Sequence, residues 1–256
     1  MNIIDTHSHI YQPDFDDDIS DVIVRAKDAG ISKILLPNID LESIGRLHQL
    51  SDKYPNYCIP MMGLHPTCVS VNWQSDLNLI KQQFSSHKYI AVGEIGIDLY
   101  WDKTLVKEQI LAFEQQLHWS IEYDLPVAIH SRNATLECIK SIKQVGSENL
   151  RGVFHSFGGT EKELTEILAL KNFCLGINGV VTFKNSTLPE VLKKADISHI
   201  IIETDAPYLA PVPFRGKRNE SSYTTNIVTK IGEIYNLTPE EVGDITSENA
   251  KQLFRL

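Results

Sequence analysis

A chain of 256 residues with 42% hydrophobic content is long enough for one large globular domain of barrel size over residues 1–256, and its composition excludes a disordered or fibrous class. A formal net charge of −9 excludes a protein that coats duplex nucleic acid through a broad basic surface, though it leaves room for a local site that takes a phosphate-bearing substrate. No run approaches the roughly 18 apolar residues of a membrane span, and the start lacks the basic-then-apolar pattern of a signal peptide, so a cytoplasmic protein with no membrane partner is expected.

The predicted elements begin at Ile3-Ile4-Asp5-Thr6-His7-Ser8-His9, where β-branched apolar residues run into alternating polar ones, as in a short strand whose end leaves the core. His7 and His9 share one face, because strand side chains repeat every two residues. Beyond Asp16-Asp17-Asp18, the spacing of Ile19, Val22, Ile23 and Ala26 predicts an amphipathic helix ended by Gly30. Strands at Lys33 to Pro37 and Tyr57 to Met62 enclose a helix over Leu41 to Lys53. A helix over Gln74 to Ser85 leads to a strand over Ile90 to Glu94, and a long helix over Val106 to Tyr123 leads to a strand over Pro126 to His130. The alternation continues with helices at Thr135 to Gln144, Glu161 to Leu170 and Leu188 to Ala195, and with strands at Gly152 to His155, Phe173 to Ile177 and His199 to Glu203. Arg215 to Tyr223 reads as a long polar loop, and the remainder to Leu256 as helices. Cys58, Cys68, Cys138 and Cys174 are too scattered for a zinc ribbon or a disulfide framework and read as reduced, mostly buried thiols.

Eight short apolar strands separated by helices imply parallel pairing through right-handed crossovers, and the number points to a closed (β/α)8 TIM barrel in the α/β class. An open doubly wound sheet is the alternative, but no Gly-x-Gly-x-x-Gly turn follows the first strand. In such a barrel the active site lies at the carboxyl ends of the strands. His7, His9, Glu94, His130, His155 and Asp205 all fall there, and all are competent metal ligands. Taken singly, each has an ordinary structural explanation: core histidines, a carboxylate paired with an arginine, a cap before Pro207. Together at one rim they favour a metal site, and the set suits two adjacent divalent ions if one carboxylate, most naturally Glu94, bridges them.

The same residues carry a family resemblance. The motifs Asp5-Thr6-His7-Ser8-His9, Gly63-Leu64-His65-Pro66, Gly93-Glu94-Ile95-Gly96-Ile97-Asp98, His130-Ser131-Arg132, His155-Ser156-Phe157, Gly179 to Lys184, Glu203 to Pro211 and Arg215 to Glu220 run nearly end to end. In this order they resemble the TatD family of metal-dependent deoxyribonucleases, within the wider amidohydrolase superfamily. The resemblance implies one ion held by His7, His9, Glu94 and Asp205 and a second held by Glu94, His130 and His155. It further implies 3′ to 5′ trimming of DNA, with Mg, Mn and Zn all admitted by the mixed ligands. Ser156, Leu99 and Ser222 stand where family members often carry Cys, Tyr and Pro, and none of these departures removes a ligand.

The expected chemistry is in-line hydrolysis of a phosphodiester by a metal-activated hydroxide, with Asp205 orienting or deprotonating the water and Glu94 joining the two ions. Arg215, Lys217 and Arg218 follow Asp205 closely enough for their loop to fold over the rim and clamp phosphate, helped by Lys184 and Arg132. Tyr208 and Phe214 are candidates to stack a splayed base, and His65 is expected to hydrogen-bond substrate rather than to ligate metal. The site is sunk in an acidic body with one basic loop at its edge, which favours single-stranded or frayed DNA ends over intact duplex. The rival readings are a dinuclear hydrolase of a small-molecule or aminoacyl ester or amide, and a non-catalytic metal-stabilised binding protein.

Overall fold

The computed structural model describes residues 2–256. Its strands are β1 (Ile3–Asp5), β2 (Ile31–Leu36), β3 (Cys58–Pro60), β4 (Val92–Gly96), β5 (Val127–His130), β6 (Gly152–Phe154), β7 (Phe173–Ile177) and β8 (Ile200–Ile202). Between them run α1 (Ile19–Asp28), α2 (Ile44–Lys53), α3 (Trp73–Gln83), α4 (Val106–Tyr123), α5 (Thr135–Val145), α6 (Glu161–Leu168) and α7 (Leu188–Leu192), followed by α8 (Thr224–Tyr235) and α9 (Pro239–Phe254). Neighbouring strands pair in parallel within two runs, β1-β2-β3 and β4 through β8. Both seams between the runs are hydrogen-bonded. Gly93 N donates to Met62 O at 3.1 Å on one side, and on the other Thr6 N donates to Ile202 O at 3.0 Å and His9 N to Ala206 O at 2.7 Å. The eight strands therefore close into the expected (β/α)8 barrel.

Alternation along each strand divides the core in two. Ile3, Ile34 and Leu36 face the surrounding helices, whereas Ile4, Leu35, Met61, Ala91, Ala128, Val153 and Ile201 fill the barrel. The interior layer is continuous with Ala250, Leu253 and Phe254 of α9, which plug the mouth at the amino ends of the strands. A capping box between Thr238 and Glu241, with Pro239 in the first turn, starts α9. Asn249 Nδ2 then donates to the carbonyls of Ile197 and Ile200, fixing the helix beneath β8.

The boundaries differ from the sequence reading where side chains take over from propensity. Helix α2 starts at Ile44 rather than Leu41, because Asp40 and Ser43 bond reciprocally in a turn: Asp40 N donates to Ser43 Oγ and Ser43 N to Asp40 Oδ1. Strand β4 runs two residues further than expected, so Glu94 lies inside it rather than at its end. All four cysteines are free; Cys58 and Cys138 are buried, and Cys68 and Cys174 only partly so.

Candidate metal centre

The pleat that turns Ala128, Val153 and Ile201 inward also turns inward the residues two positions later, which are His130, His155 and Glu203. Gly176 of β7 occupies the same layer, and its missing side chain makes the room: a Cβ there would lie 2.1 Å from Glu203 Oε2. Asp205 reaches the layer by another route. Its φ of 59° bends the chain in the left-handed region, which Asp tolerates better than most residues, and its amide is tied to His7 O at 2.9 Å.

Two sets of donor atoms converge on the two oxygens of Glu94. Oε2 lies 3.2 Å from His7 Nε2 and 3.4 Å from His9 Nε2. Asp205 Oδ1 closes that set at 3.9 Å from His7 Nε2 and 3.6 Å from His9 Nε2. Oε1 faces the second set, 2.9 Å from His130 Nδ1, 3.2 Å from His155 Nε2 and 3.4 Å from His65 Nε2. Donors bound to one tetrahedral cation at about 2.1 Å stand roughly 3.4 Å apart. The spacings to each Glu94 oxygen are of that size, and three groups, His7 with His9 and Glu94, His65 with Glu94 and His130, and His7 with His155 and Glu203, are close enough together to hold a divalent cation.

Outer partners turn the imidazoles towards Glu94. The hydroxyl of Tyr11 donates to Pro37 O at 2.6 Å, so its oxygen, 3.1 Å from His9 Nδ1, accepts from that nitrogen and leaves His9 Nε2 facing the first set. Asp98 Oδ2 lies 2.8 Å from His130 Nε2, and its other oxygen accepts from the amides of Tyr100 at 2.8 Å and Trp101 at 3.0 Å. Glu203 Oε1 lies 3.2 Å from His155 Nδ1 and accepts from Ser156 N at 2.6 Å. Behind them, the buried Asp5 carboxylate accepts from Thr204 Oγ1 at 2.7 Å and Ser221 Oγ at 2.6 Å, joining β1 to the segment after β8.

The electrostatics agree with a cation-binding cluster. Burial opposes ionisation of Glu94, yet the surrounding His65, His155 and His7 bring its carboxyl well below the usual range. Burial alone would lower His9, but Asp205 and Glu94 outweigh it and push the imidazole up to about 9. Against burial, His130 and the amides of Trp101 and Tyr100 bring Asp98 down to about 2. Glu94 and Asp98 thus stay anionic in a largely buried site, where a divalent cation would compensate them and displace protons from imidazole.

The structure brings together all six expected donors and adds His65 to the second set, nearer the cluster than a purely substrate-facing role predicts. The expected basic residues divide. Arg132, Lys184, Arg215 and Lys217 are exposed and form no ion pair among the described residues, with Arg215 resting on the Phe183 ring at 3.6 Å. Arg218 instead forks onto Asp18 at 2.7 and 2.8 Å and bonds Asp14 O, so its guanidinium anchors the loop rather than standing open to phosphate. Phe214 is stacked on Tyr223 at 3.9 Å, whereas Tyr208 is exposed. Tyr11, Asp98 and Glu203 were missed as positioning groups. For Glu203 and Asp98 a signal existed, since each closes or opens a motif that carries a donor.

The chain matches the family model described as TatD related DNase over residues 4–255. It is 37% identical over 255 residues, 99% of each chain, to a Bacillus subtilis protein named uncharacterized metal-dependent hydrolase YabD. It is 32% identical over 249 residues to the 3′-5′ ssDNA/RNA exonuclease TatD of Pectobacterium parmentieri, covering 94% of this chain and 95% of that one. Among solved structures, the Escherichia coli TatD homolog YjjV superposes with a TM-score of 0.92 at 28% identity, covering 99% and 98% of the two chains.

Proposed function

The chain belongs to the family of TatD-related DNases, and from that premise we propose that this metal-dependent hydrolase cleaves phosphodiester bonds of DNA at single-stranded or frayed ends, trimming from the 3′ end with two divalent ions. The observation that carries the reading is the division of Glu94, one oxygen to His7 and His9, which Asp205 also faces, the other to His65, His130 and His155, beside four cations with no ion pair among the described residues. Divalent ions held there supply the acidity that yields hydroxide from water near neutral pH and the positive charge that a phosphodiester requires in its transition state.

The chain's own residues do the rest. His7, His9, Glu94 and Asp205 would hold one ion, and Glu94, His130 and His155, with His65 beside them, would hold the other. Asp205 is the base, because its side chain is 15% exposed whereas that of Glu94 is 4% exposed, so it is the carboxylate of the pair that meets solvent. Arg215, Lys217, Lys184 and Arg132 bind phosphate oxygens and orient the strand. A flexible single strand reaches this sunken site past an acidic body more easily than a duplex carrying two charged backbones.

The test is a metal-stripped protein reconstituted with Mg, Mn or Zn singly and offered end-labelled single strands, duplexes and covalently closed single-stranded circles. Linear single strands are expected to be shortened stepwise from the 3′ end, faster than duplex, with closed circles spared. Circles cut as fast as linear strands would overturn end-trimming, and hydrolysis of amides or carboxylic esters without any phosphodiester cleavage would overturn the nuclease reading.

A further inference from the structure

Two aromatic side chains stand out of the catalytic rim where β4 hands over to α4. Tyr100 is 51% and Trp101 68% exposed, although both are large and apolar enough to be costly in water. Their rings meet edge to face, with centroids 4.9 Å apart. The guanidinium of Arg132, from the end of β5, lies 3.8 Å from the Tyr100 ring centre and 5.4 Å from that of Trp101. No carboxylate pairs with that guanidinium among the described residues.

The group is tied directly to the donor cluster. Asp98 accepts from the amides of Tyr100 and Trp101 through one oxygen and lies 2.8 Å from His130 Nε2 through the other. Leu99 N donates to Arg132 O at 3.0 Å, locking the two loops together. Lys184, Arg215 and Lys217, without an ion pair among the described residues, belong to the segments after β7 and β8, on the other side of the barrel mouth. A strand crossing that mouth therefore meets cations on one side, the donor cluster in the middle and an aromatic pair with its own cation on the other.

We propose that Tyr100, Trp101 and Arg132 form a nucleobase platform: the base next to the scissile phosphate stacks on the Trp101 face while Arg132 holds the adjoining phosphate. The proposal rests on the nuclease reading above and gives it a subsite. Every base has a π face, so the platform selects unstacked, single-stranded nucleic acid without selecting sequence. A base inside an intact duplex is already stacked on both sides and is not available to it.

The experiment uses the metal-loaded full chain, a labelled single-stranded oligonucleotide and an all-abasic phosphodiester oligomer of equal length. Trp101→Ala is expected to raise KM on the oligonucleotide roughly ten-fold, as loss of one stacked base implies, with the effect concentrated in KM rather than kcat. Trp101→Phe should recover most of the loss. On the abasic oligomer the difference between wild type and Trp101→Ala should vanish. Binding read without turnover gives an independent measure. Trp73 is 9% and Trp119 2% exposed, so quenching of tryptophan emission by added oligonucleotide in EDTA should come from Trp101 and disappear in Trp101→Phe. An unchanged KM in Trp101→Ala, or an equal loss on the abasic oligomer, overturns the platform while leaving the nuclease standing. A wild-type protein that turns over no oligonucleotide with any metal overturns both.

Discussion

The two mouths of the barrel are built from the same eight strands and have opposite chemistry. At the amino ends, Ala250, Leu253 and Phe254 of α9 press against Ile4, Leu35 and Ile201, and the layer is apolar throughout. At the carboxyl ends, the pleats of β5, β6 and β8 continue inward into His130, His155 and Glu203, joined by His7, His9, His65, Glu94 and Asp205. Burial stabilises one end outright. At the other, burial of ionisable groups is costly and is offset only by mutual pairing, outer hydrogen bonds and the cations that the donors suit. The comparison shows one barrel whose amino mouth is closed by apolar packing and whose carboxyl mouth gathers ionisable groups.

Breaking the reactive end should separate the two most strongly. Glu94→Gln is expected to lower turnover on the order of 10³-fold, since it removes the charge shared by both donor sets. Circular dichroism should be preserved and metal content per chain should fall; full activity with unchanged metal would remove Glu94 from the centre. Breaking the plug should do the reverse. Phe254→Ala deletes a side chain that is 2% exposed, and about 3 kcal/mol of unfolding free energy should be lost. Turnover per folded molecule should hold, as read by denaturant titration beside the activity assay.

Smaller effects sharpen the boundary. Glu203→Gln and Asp98→Asn keep the shape of the groups behind His155 and His130 but remove their charge, and roughly 10- to 100-fold losses in metal affinity or activity are expected. Metal titration by competition with a chelating dye measures this, and unchanged affinity would reduce both residues to packing. Least of all, Arg215→Ala should weaken oligonucleotide use several-fold and lower the salt slope by about one, with an unchanged melting temperature. Arg218→Ala should cost about 1 kcal/mol or less through the partly exposed Asp18 pair while leaving that slope alone. Equal salt slopes in the two variants would erase the division of the basic loop into clamps and anchors.

Much of this was legible in the chain. Period-two apolar runs alternating with period-3.6 runs specify strands and helices locally, so eight strands were readable, with boundary errors such as the late start of α2 at Ile44. The six residues that gather at the rim were readable because metal ligands come from few residue types and barrel chemistry gathers at strand ends. His65 was assigned to substrate because its position at the end of β3 does not reveal how near β4 and β5 carry Glu94 and His130. Arg218 and Arg215 sit in one basic run, and only the packing of that loop against α1 separates them: Asp18 and Asp14 take Arg218, and Arg25 fixes the neighbouring Glu220 at 2.6 Å.

The sequence by itself determined the class of fold, the ligand-type residues that end the strands and the presence of a basic loop after the last strand, because each is a property of residue type and local period. Tertiary structure decided which polar groups meet. Closure across β3 to β4 and β8 to β1 brings residues nearly two hundred positions apart, such as Asp5 and Thr204, to 2.7 Å; the pleat then turns Glu203 inward, and a left-handed bend brings Asp205 to the same layer. It also left Tyr100 and Trp101 outside, beside Arg132. No local pattern encodes these outcomes, since proximity across a closed barrel depends on shear, register and the absence of a side chain at Gly176, all set by strands distant in the chain.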